Sequence, residues 1–385
     1  MQKKLLALAV AGALVPAAAI AQSSVEIYGR ANLGVQSWEA KGATLGAAAD
    51  FDRRLRVYDG SSRVGFRVNE SLGGGMRAFV VIESGVNIDS GTNLGQSNAA
   101  PNTSSGFWAS RDSYVGIGGG WGDIRFGRQS IFWSNGVIAQ TGANYLDTAV
   151  DGLINNPSLT AIPVTRQSST VSYNSPTVGG FNATLSYSPH SQEGVQANAD
   201  ADGDVMGITG RYTSGAIRAQ VDWAVAQGNT NALGVQTENT GWKVGLGWAY
   251  APGSQISGIL GNYENENVGN VAGLDLERQF WLINWEHMIG QWQILAQYYN
   301  GDEVDSALAG GDIDETDVQG WTFGVKYFLS KRTGVYASYH NVKNGDLAFA
   351  DLNGAGMSSS STGTLPATSA GADVKIFAVG VMHNF

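Results

Sequence analysis

The stretch Val374-Lys-Ile-Phe-Ala-Val-Gly-Val-Met-His-Asn-Phe385 ends the sequence and has the period-two alternation of a β-strand. One face carries the large apolar side chains Phe377, Val379, Val381 and Phe385, and the other carries Ala378, Gly380 and Asn384. Terminal residues of soluble domains usually fray. A last strand that ends on an aromatic residue is typical of a strand paired on both sides within lipid, where backbone groups have no water to bond. We therefore expect this strand to belong to a closed sheet.

The amino-terminal residues have the features of a secretory signal peptide. Lys3 and Lys4 precede an apolar run, and Ala19-Ile-Ala21 matches an A-x-A cleavage pattern. A transmembrane anchor is the alternative, but Gly12 and Pro16 interrupt the run and no stop-transfer charges follow it. We expect residues 1–21 to be removed on export, which leaves residues 22–385 as a single domain.

The composition excludes several classes of protein. There is no cysteine, so the chain has no disulfide framework and no thiolate zinc site. Charged residues make up 15% of the chain, below the roughly 25% of ordinary soluble domains. Without Lys3 and Lys4, 21 of the 23 basic residues remain against 33 acidic ones, a net charge of −12. This acidic balance argues against a nucleic-acid partner.

Alternation recurs in many segments, and it has two features that favour a membrane. In residues 217–225 the odd positions are apolar, whereas Arg218, Gln220 and Asp222 lie between them. A soluble β-sandwich would also alternate. However, the apolar faces carry aromatics such as Trp242 and Tyr250 toward strand ends, as in the aromatic girdles of membrane barrels. The opposite faces carry arginine and lysine, which need water.

Short and long connections alternate along the chain. Short turns are predicted at residues 72–75, 118–121, 175–180, 213–216, 251–254, 288–291 and 329–332. The connections between them are long and polar, and the strands number sixteen by our count, each near the roughly 9–11 residues that cross a bilayer. We therefore predict an all-β fold, a sixteen-stranded antiparallel transmembrane β-barrel with short periplasmic turns and long external loops. A barrel of this size leaves an aqueous channel.

Several motifs, spread along the chain, resemble those of the Gram-negative general porins, in particular the betaproteobacterial, anion-preferring branch. They are Ser24-Val-Glu-Ile-Tyr-Gly-Arg30, Ser62-Arg-Val-Gly-Phe-Arg-Val-Asn-Glu-Ser-Leu-Gly-Gly-Gly75, Ser113-Tyr-Val-Gly-Ile117, Phe126-Gly-Arg-Gln129, Val171-Ser-Tyr-Asn-Ser-Pro176 with Gly179-Gly-Phe181, Leu329-Ser-Lys-Arg-Thr333 and the terminal strand with Phe385. The resemblance implies a homotrimer in the outer membrane whose third external loop folds into the lumen. It also implies contact with outer-membrane lipid and lipopolysaccharide, and recognition of the last strand by the barrel assembly machinery.

The resemblance also implies a pore constriction. The third loop would be residues 130–165, which contain Asp147 and Asp151, and an arginine cluster facing it would be Arg63, Arg111 and Arg166. Alternation independently points Arg63 and Arg166 inward. Counted from Val115 and Ile117, it points Arg111 outward, unless a β-bulge or a position at the strand rim intervenes.

Alternation adds Arg30, Arg67, Arg77 and Glu83 to the residues expected to line the lumen. An arginine on the lipid face at mid-bilayer would cost about 2–4 kcal/mol, which favours inward placement. A basic wall that faces an acidic loop would create a transverse field and lower the barrier for anions. Alternatively, some of these arginines hold the loop in place through carboxylates, and the two roles are compatible.

No cofactor is predicted, with one possible exception. The acidic segments Asp200-Ala-Asp-Gly-Asp204 and Asp312-Ile-Asp-Glu-Thr-Asp317 could bind Ca²⁺ or Mg²⁺ and bridge to lipopolysaccharide, although neither has a complete calcium-loop signature. A solvated acidic loop is the competing interpretation. The four histidines share no metal-ligand spacing, and no catalytic motif is present.

The function predicted from these features is passive diffusion of ions and small hydrophilic solutes through a water-filled channel with a modest anion preference, rather than catalysis. One alternative is a substrate-selective channel for small organic anions, which would require a line of inward aromatic side chains. Most aromatics are expected on lipid faces, so no such line is predicted. More distant alternatives are a barrel enzyme of the outer membrane and a secreted β-sandwich adhesin.

Overall fold

The computed structural model describes residues 24–89, 108–132, 152–155, 158–164, 166–189, 203–231, 233–350 and 369–385. The predicted signal peptide lies outside these ranges. The first ten strands are β1 (Ser24–Lys41), β2 (Phe51–Asp59), β3 (Arg63–Gly73), β4 (Met76–Gly85), β5 (Ser113–Gly119), β6 (Gly122–Ser130), β7 (Arg166–Asn174), β8 (Phe181–Ser188), β9 (Val205–Ser214) and β10 (Ile217–Thr230). The remaining strands are β11 (Gln236–Ala251), β12 (Ser254–Glu266), β13 (Leu276–Ile289), β14 (Trp292–Gly301), β15 (Val304–Ser306), β16 (Gly311–Ile313), β17 (Val318–Phe328), β18 (Thr333–Asn344) and β19 (Asp373–Asn384).

Among the residues described, helical structure is limited to one α-helical turn, Gly152–Asn155, and the short 3₁₀ turns Ala47–Ala49 and Val268–Asn270. Within the ranges given above, no helix has the length and apolar character needed to cross a bilayer.

The strands form one closed antiparallel sheet. β1 pairs with β19 from Arg30 opposite Asn384 to Lys41 opposite Asp373, and its other edge pairs with both β2 and β3. β2 and β3 are therefore two parts of one membrane-crossing strand, and β15 and β16 form a short hairpin in an external loop. The nineteen segments make sixteen membrane-crossing strands, which confirms the predicted barrel.

All seven predicted short turns are present. They connect β3 to β4, β5 to β6, β7 to β8, β9 to β10, β11 to β12, β13 to β14 and β17 to β18. Between β3 and β4, Gly73, Gly74 and Gly75 have φ of 81°, 59° and 77°. Three consecutive residues in this region are tolerated only by glycine, because a side chain would be strained there. The turn sequence therefore fixes where the strand reverses.

The outward faces are apolar, as predicted. On β19, Phe377, Val379 and Val381 are exposed, whereas Ala378 between them is buried. A continuous apolar surface of this extent on a sheet would be unfavourable in water. Hydrocarbon is the solvent that suits it, and closure of the sheet leaves no unpaired strand edge in that solvent.

One side of the barrel interior contains a buried apolar cluster, referred to below as the inner cluster. Its members on β12, β13 and β14 include Ile259, Tyr263, Phe280, Leu282, Leu295 and Tyr299, and those on β1, β18 and β19 include Trp38, Ala40, Tyr336, Val342, Val374 and Ile376. Inserted loops pack on it, as described below. The wall formed by β1 to β7 instead carries most of the arginines singled out from the sequence.

Candidate functional site in the channel interior

A row of arginines runs along the inner face of the second membrane-crossing strand. It consists of Arg54 and Arg56 on β2 and Arg63 and Arg67 on β3, and Arg30 on β1 lies directly opposite Arg63 in the register. Leu55 and Val57 are exposed on the outer face, so Arg54 and Arg56 point inward. Arg54 is paired with the buried Trp38, and Arg56 with the buried Gln36. We call Arg30, Arg54, Arg56, Arg63 and Arg67 the basic stripe.

A break between β2 and β3 divides the basic stripe into two halves. Arg54 and Arg56 lie on the external side of the break, and Arg63 and Arg67 lie on the periplasmic side. Asp59 is buried, and its carboxylate accepts hydrogen bonds from the amides of Ser62 (2.6 Å) and Ile88 (3.0 Å). The side-chain amide of Asn32 donates to the carbonyl of Gly60 at 2.9 Å. These contacts hold residues 60–62 out of the ladder while β3 resumes at Arg63, beside Arg30.

Glu83 joins three parts of the wall. Its carboxylate accepts a hydrogen bond from the Tyr28 hydroxyl at 3.1 Å and pairs with Nε of Arg111 at 2.5 Å. The Tyr28 ring lies over Gly65, where any added Cβ would overlap it. Arg67 is stacked on the same ring, with its guanidinium carbon 4.6 Å from the ring centroid. These contacts bring Tyr28, Glu83 and Arg67 together on one wall, and it stays a prediction that Glu83 and Arg67 line the lumen.

Arg111 lies at a strand rim. β5 begins only at Ser113, and the β4–β5 register has no shift, so no bulge reorients Arg111. Its amide donates to the carbonyl of Glu83 at 3.0 Å. Strand alternation therefore does not govern Arg111, and of the two explanations left open by the sequence, the rim position is the one observed.

Arg166, the first residue of β7, pairs with Asp112. The distance from Nε of Arg166 to Oδ1 of Asp112 is 2.5 Å, and the hydroxyl of Ser130 donates to the same oxygen at 2.8 Å. Because Asp112 follows Arg111 in the chain, the structure brings Arg111 and Arg166 into one region. Gly85, opposite Arg63 in the register, donates its amide to Ser110 at 3.0 Å, which links Arg63 to the same region.

A β-bulge invalidates the alternation argument for Arg166. Gly127 is opposite Thr170 and Gln129 is opposite Gln167, so two residues of β7 face a single residue of β6. Ser169, one of the two, has φ of 54°. An extra residue reverses the side on which later side chains lie. The alternation counted from Val171 therefore does not reach Arg166, and its inward orientation stays a prediction from the resemblance.

Arg128 belongs to this region but was not singled out from the sequence. Its Nε donates to the carbonyl of Ser110 at 3.1 Å, and Nη1 donates to the hydroxyl of Ser168 at 2.8 Å. Arg128 lies opposite the bulge in β7. The bulge depends on how β6 pairs with β7, so the sequence of β6 alone could not single out Arg128.

Charges nearer the periplasmic turns are mostly paired. Asp123 accepts from Nε of Arg125 at 2.7 Å and lies 3.6 Å from Nη2 of Arg77. Arg77 also stacks on Phe79. In the same half of the wall, Arg67 pairs with Glu26 at 2.8 Å. Two of the predicted lumen residues, Arg67 and Arg77, therefore have carboxylate partners.

The described parts of the third external loop lie inside the barrel. Leu153 and Ile154 are fully buried in the inner cluster, and the hydroxyl of Tyr263 on β12 donates to the carbonyl of Ile154 at 2.7 Å. Asn265 on the same strand bonds both backbone groups of Ala161, at 2.7 and 2.8 Å. The loop is thus attached to the inner face of β12. Its predicted acidic residues, Asp147 and Asp151, lie outside the described residues.

The expectation that no line of aromatics faces inward is wrong. Phe132, Tyr263, Phe280 and Tyr299 form a row, with successive ring centroids 6.0, 4.7 and 6.2 Å apart. All four are buried. They support the inserted loop rather than line the water path, so they are not the exposed track that a substrate-selective channel would need. Nζ of Lys243 lies 3.5 Å from the centroid of Phe132 and pairs with Asp222 at 3.3 Å.

The acidic external segments show no preformed metal site in the part of the chain that is described. No group of three or more histidine, aspartate or glutamate side chains there is arranged to hold an ion. Asp312 and Asp317 line a cavity of about 620 Å³ together with Glu277, Asp302 and Asp305. Asp204 accepts a hydrogen bond from Tyr187 at 2.8 Å, whereas Asp200 and Asp202 lie outside the described residues.

A family model identifies the family, and a relative and a solved structure are similar to the chain. A family model described as Gram-negative porin matches residues 7–347. Outer membrane porin protein 32 of Delftia acidovorans is 27% identical over 371 residues, which cover 93% of this chain and 94% of that protein. The structure of an anion-selective porin from Comamonas acidovorans superposes with a TM-score of 0.72 at 22% identity and covers 94% of this chain and 100% of that one.

The fold is also similar to that of OmpT, an outer membrane protein of Vibrio cholerae, in its trimer form. That structure has a TM-score of 0.60 at 14% identity and covers 94% of this chain and 99% of the other. With its closed sixteen-stranded barrel and inserted third loop, this chain belongs to the Gram-negative porin family and forms a channel in the outer membrane.

Proposed function

We propose that this porin conducts small hydrophilic solutes passively and prefers anions over cations, and that it has no catalytic activity. The observation that carries the proposal is the basic stripe, which presents five guanidinium groups on one inner wall. Arginine does not deprotonate in proteins, so these groups stay charged at any physiological pH. Positive side chains that line a pore lower the barrier for anions.

The net charge of the chain does not oppose this proposal. The predicted mature chain carries −12, but many of its acidic residues lie in external loops, as in the cavity lined by Asp312 and Asp317. Exposed charges farther apart than about 8 Å are largely screened at physiological ionic strength. Selectivity therefore depends on the side chains next to the ion path. A similar structure is described as an anion-selective porin, which supports the same preference here.

Reversal potentials of the purified protein in planar bilayers test the proposal. With a KCl gradient across the membrane, an anion-preferring channel gives a potential of the sign set by chloride diffusion. A potential of the opposite sign would contradict the anion preference. Single-channel current steps that continue while no substrate is converted would support passive conduction.

For the assembled protein we infer a homotrimer embedded in outer-membrane lipid and lipopolysaccharide, delivered by the barrel assembly machinery through the strand that ends at Phe385. The trimer form of the similar OmpT structure supports this assembly. We further propose that Ca²⁺ or Mg²⁺ bridges acidic external residues such as Asp312 to lipopolysaccharide phosphates. Light scattering in detergent checks the trimer. A melting temperature that does not change on chelator titration in the presence of lipopolysaccharide would count against the bridging ions.

A further inference from the structure

A segment that follows β18 returns into the mouth of the barrel. This segment, residues 345–350, is called the inner strap below. The side chain of Asn344 bonds the amide and carbonyl of Ala350 at 2.8 and 2.9 Å. At its start, the amide of Gly345 donates to the carbonyl of Asp317 at 3.0 Å, and that of Leu347 donates to the carbonyl of Glu315 at 2.8 Å. The inner strap is therefore fixed at both ends.

The inner strap has an apolar side toward the wall and an apolar side toward water. Ala348 and Ala350 are 0% and 1% exposed and belong to the inner cluster. Leu347 and Phe349 alternate with them and are 50% and 43% exposed. Because the alanines pack on the inner wall, the two larger side chains point away from that wall.

A hydrogen bond ties this segment to the third loop. The amide of Phe349 donates to the hydroxyl of Ser158 at 2.9 Å, and Ser158 is buried. The third loop lies within the barrel, so the exposed side chain of Phe349 faces channel water rather than lipid. An isolated exposed apolar residue is ordinary on a protein surface, but Phe349 and Leu347 are held together beside the inserted loop.

The inner strap is bonded to the part of the mouth from which β1, β2 and β19 run into the barrel. The amide of Gly371, just before β19, donates to the carbonyl of Ala348 at 2.8 Å, and the hydroxyl of Thr44, between β1 and β2, donates to the carbonyl of Asp346 at 2.6 Å. Trp38 is paired in the register with Arg54 on the next strand, and Arg56 follows on the same inner face. Neighbouring strands are about 4.8 Å apart. The inner strap and the outer end of the basic stripe are therefore on the same side of the external mouth.

We propose that Leu347, Phe349, Arg54 and Arg56 form an entry subsite for small aromatic monocarboxylates. The ring of such a solute would pack on Phe349, since aromatic pairs are favourable beyond simple burial. Its carboxylate would pair with a guanidinium group of the stripe, which binds carboxylates with charge-assisted hydrogen bonds. Inorganic anions lack the ring and gain only the second contact. This inference deepens the proposed anion path and depends on it.

Bi-ionic reversal potentials test the subsite, with benzoate and acetate as probes measured against chloride on the external side. We expect the wild-type benzoate-to-chloride permeability ratio to exceed the acetate-to-chloride ratio. Phe349→Ser should lower the benzoate ratio by about fivefold, within the range of a lost aromatic pair, and leave the acetate ratio unchanged. Leu308→Ser, at an exposed apolar residue outside the inner strap, is the matched control and should change neither ratio.

A second variant, Phe349→Leu, keeps the apolar bulk and removes the ring, so a folding defect of Phe349→Ser cannot hide the result. It should also lower the benzoate ratio. An unchanged benzoate ratio in either folded variant would overturn the subsite. The KCl reversal potential, which reports the anion preference itself, should stay at the wild-type value in both variants. A cation-selective potential in the wild-type protein would instead refute the underlying anion path.

Discussion

The hydroxyl oxygens of Tyr58 and Tyr336 lie 2.6 Å apart and connect β2 to β18 across the two strands that close the barrel. Between them β1 and β19 present Gly34 and Gly380, which are opposite each other in the register. The hydroxyl of Tyr336 also donates to Asn32 at 2.8 Å. Glycine at both positions lets the two rings meet over the backbone, so the closing seam is covered on its inner side by a bonded tyrosine pair.

The first prediction concerns this seam. A Cβ at Gly380 would lie 2.5 Å from the hydroxyl oxygen of Tyr336 and 2.8 Å from the carbonyl oxygen of Leu33. Gly380→Ala should therefore destabilise the folded barrel by roughly 1–3 kcal/mol, the usual cost of overpacking. Urea unfolding followed by the gel mobility of the folded barrel measures the change. Gly120→Ala, at a position with open space around it, should be neutral. Equal stability of the two variants would contradict the prediction.

The second prediction separates the two faces of β2. Arg56 points inward, whereas Arg53 is exposed and pairs with Glu39 on the outer face at 3.1 Å. Arg56→Gln should shift the KCl reversal potential toward cations, because it removes a positive charge beside the ion path. Arg53→Gln removes the same charge three residues away and should leave the potential unchanged. If both variants shift the potential equally, the face assignment is wrong.

The basic stripe also shows how far alternation carries a prediction. Outward apolar faces and turns followed from the sequence because a period of two and glycine-rich turns are local properties. The apolar Leu55 and Val57 that flank Arg56 are enough to predict that Arg54 and Arg56 point inward, but the strand predicted from the sequence begins only at Arg63. The side of Arg166 could not be predicted in this way, since the bulge that reverses it depends on the pairing of β6 with β7.

The inward aromatic row illustrates a different limit. Aromatic residues suit both the lipid interface and a buried support for an inserted loop. Tyr263 and Phe280 could therefore not be assigned to the second role until the position of the third loop was known. The ion-pair partners Asp112 and Asp222 were missed for a related reason. Three-dimensional packing decides which distant residues form ion pairs, and the local alternation of apolar and polar residues does not show it.

The third prediction concerns the attachment of the third loop. Tyr263→Phe removes the hydrogen bond to the carbonyl of Ile154 while the aromatic row is kept. A net hydrogen bond is worth about 1 kcal/mol, so the loop should remain inserted but detach more often. We expect greater open-channel current noise in single-channel records. Tyr298→Phe on the outer face of β14, beside Trp281, is the control and should not change the noise. Noise at the wild-type level in Tyr263→Phe would show that this bond does not hold the loop.

The last prediction tests what Arg111 does. If its charge acts on passing ions, the Glu83 carboxylate that pairs with it must partly cancel that action. Glu83→Gln keeps an oxygen that accepts from Arg111 and gains an NH2 group that donates to the Tyr28 hydroxyl oxygen, but it removes the negative charge. It should therefore make the KCl reversal potential more anion-selective. If Arg111 serves only to hold the wall together, the selectivity changes equally in Glu83→Gln and in Glu83→Gln combined with Arg111→Gln. A double variant that loses the gain in anion preference would assign the effect to the Arg111 charge. Glu26→Gln, which removes a partner of Arg67 nearer the periplasmic end, provides the control for loss of an acidic group elsewhere in the lumen.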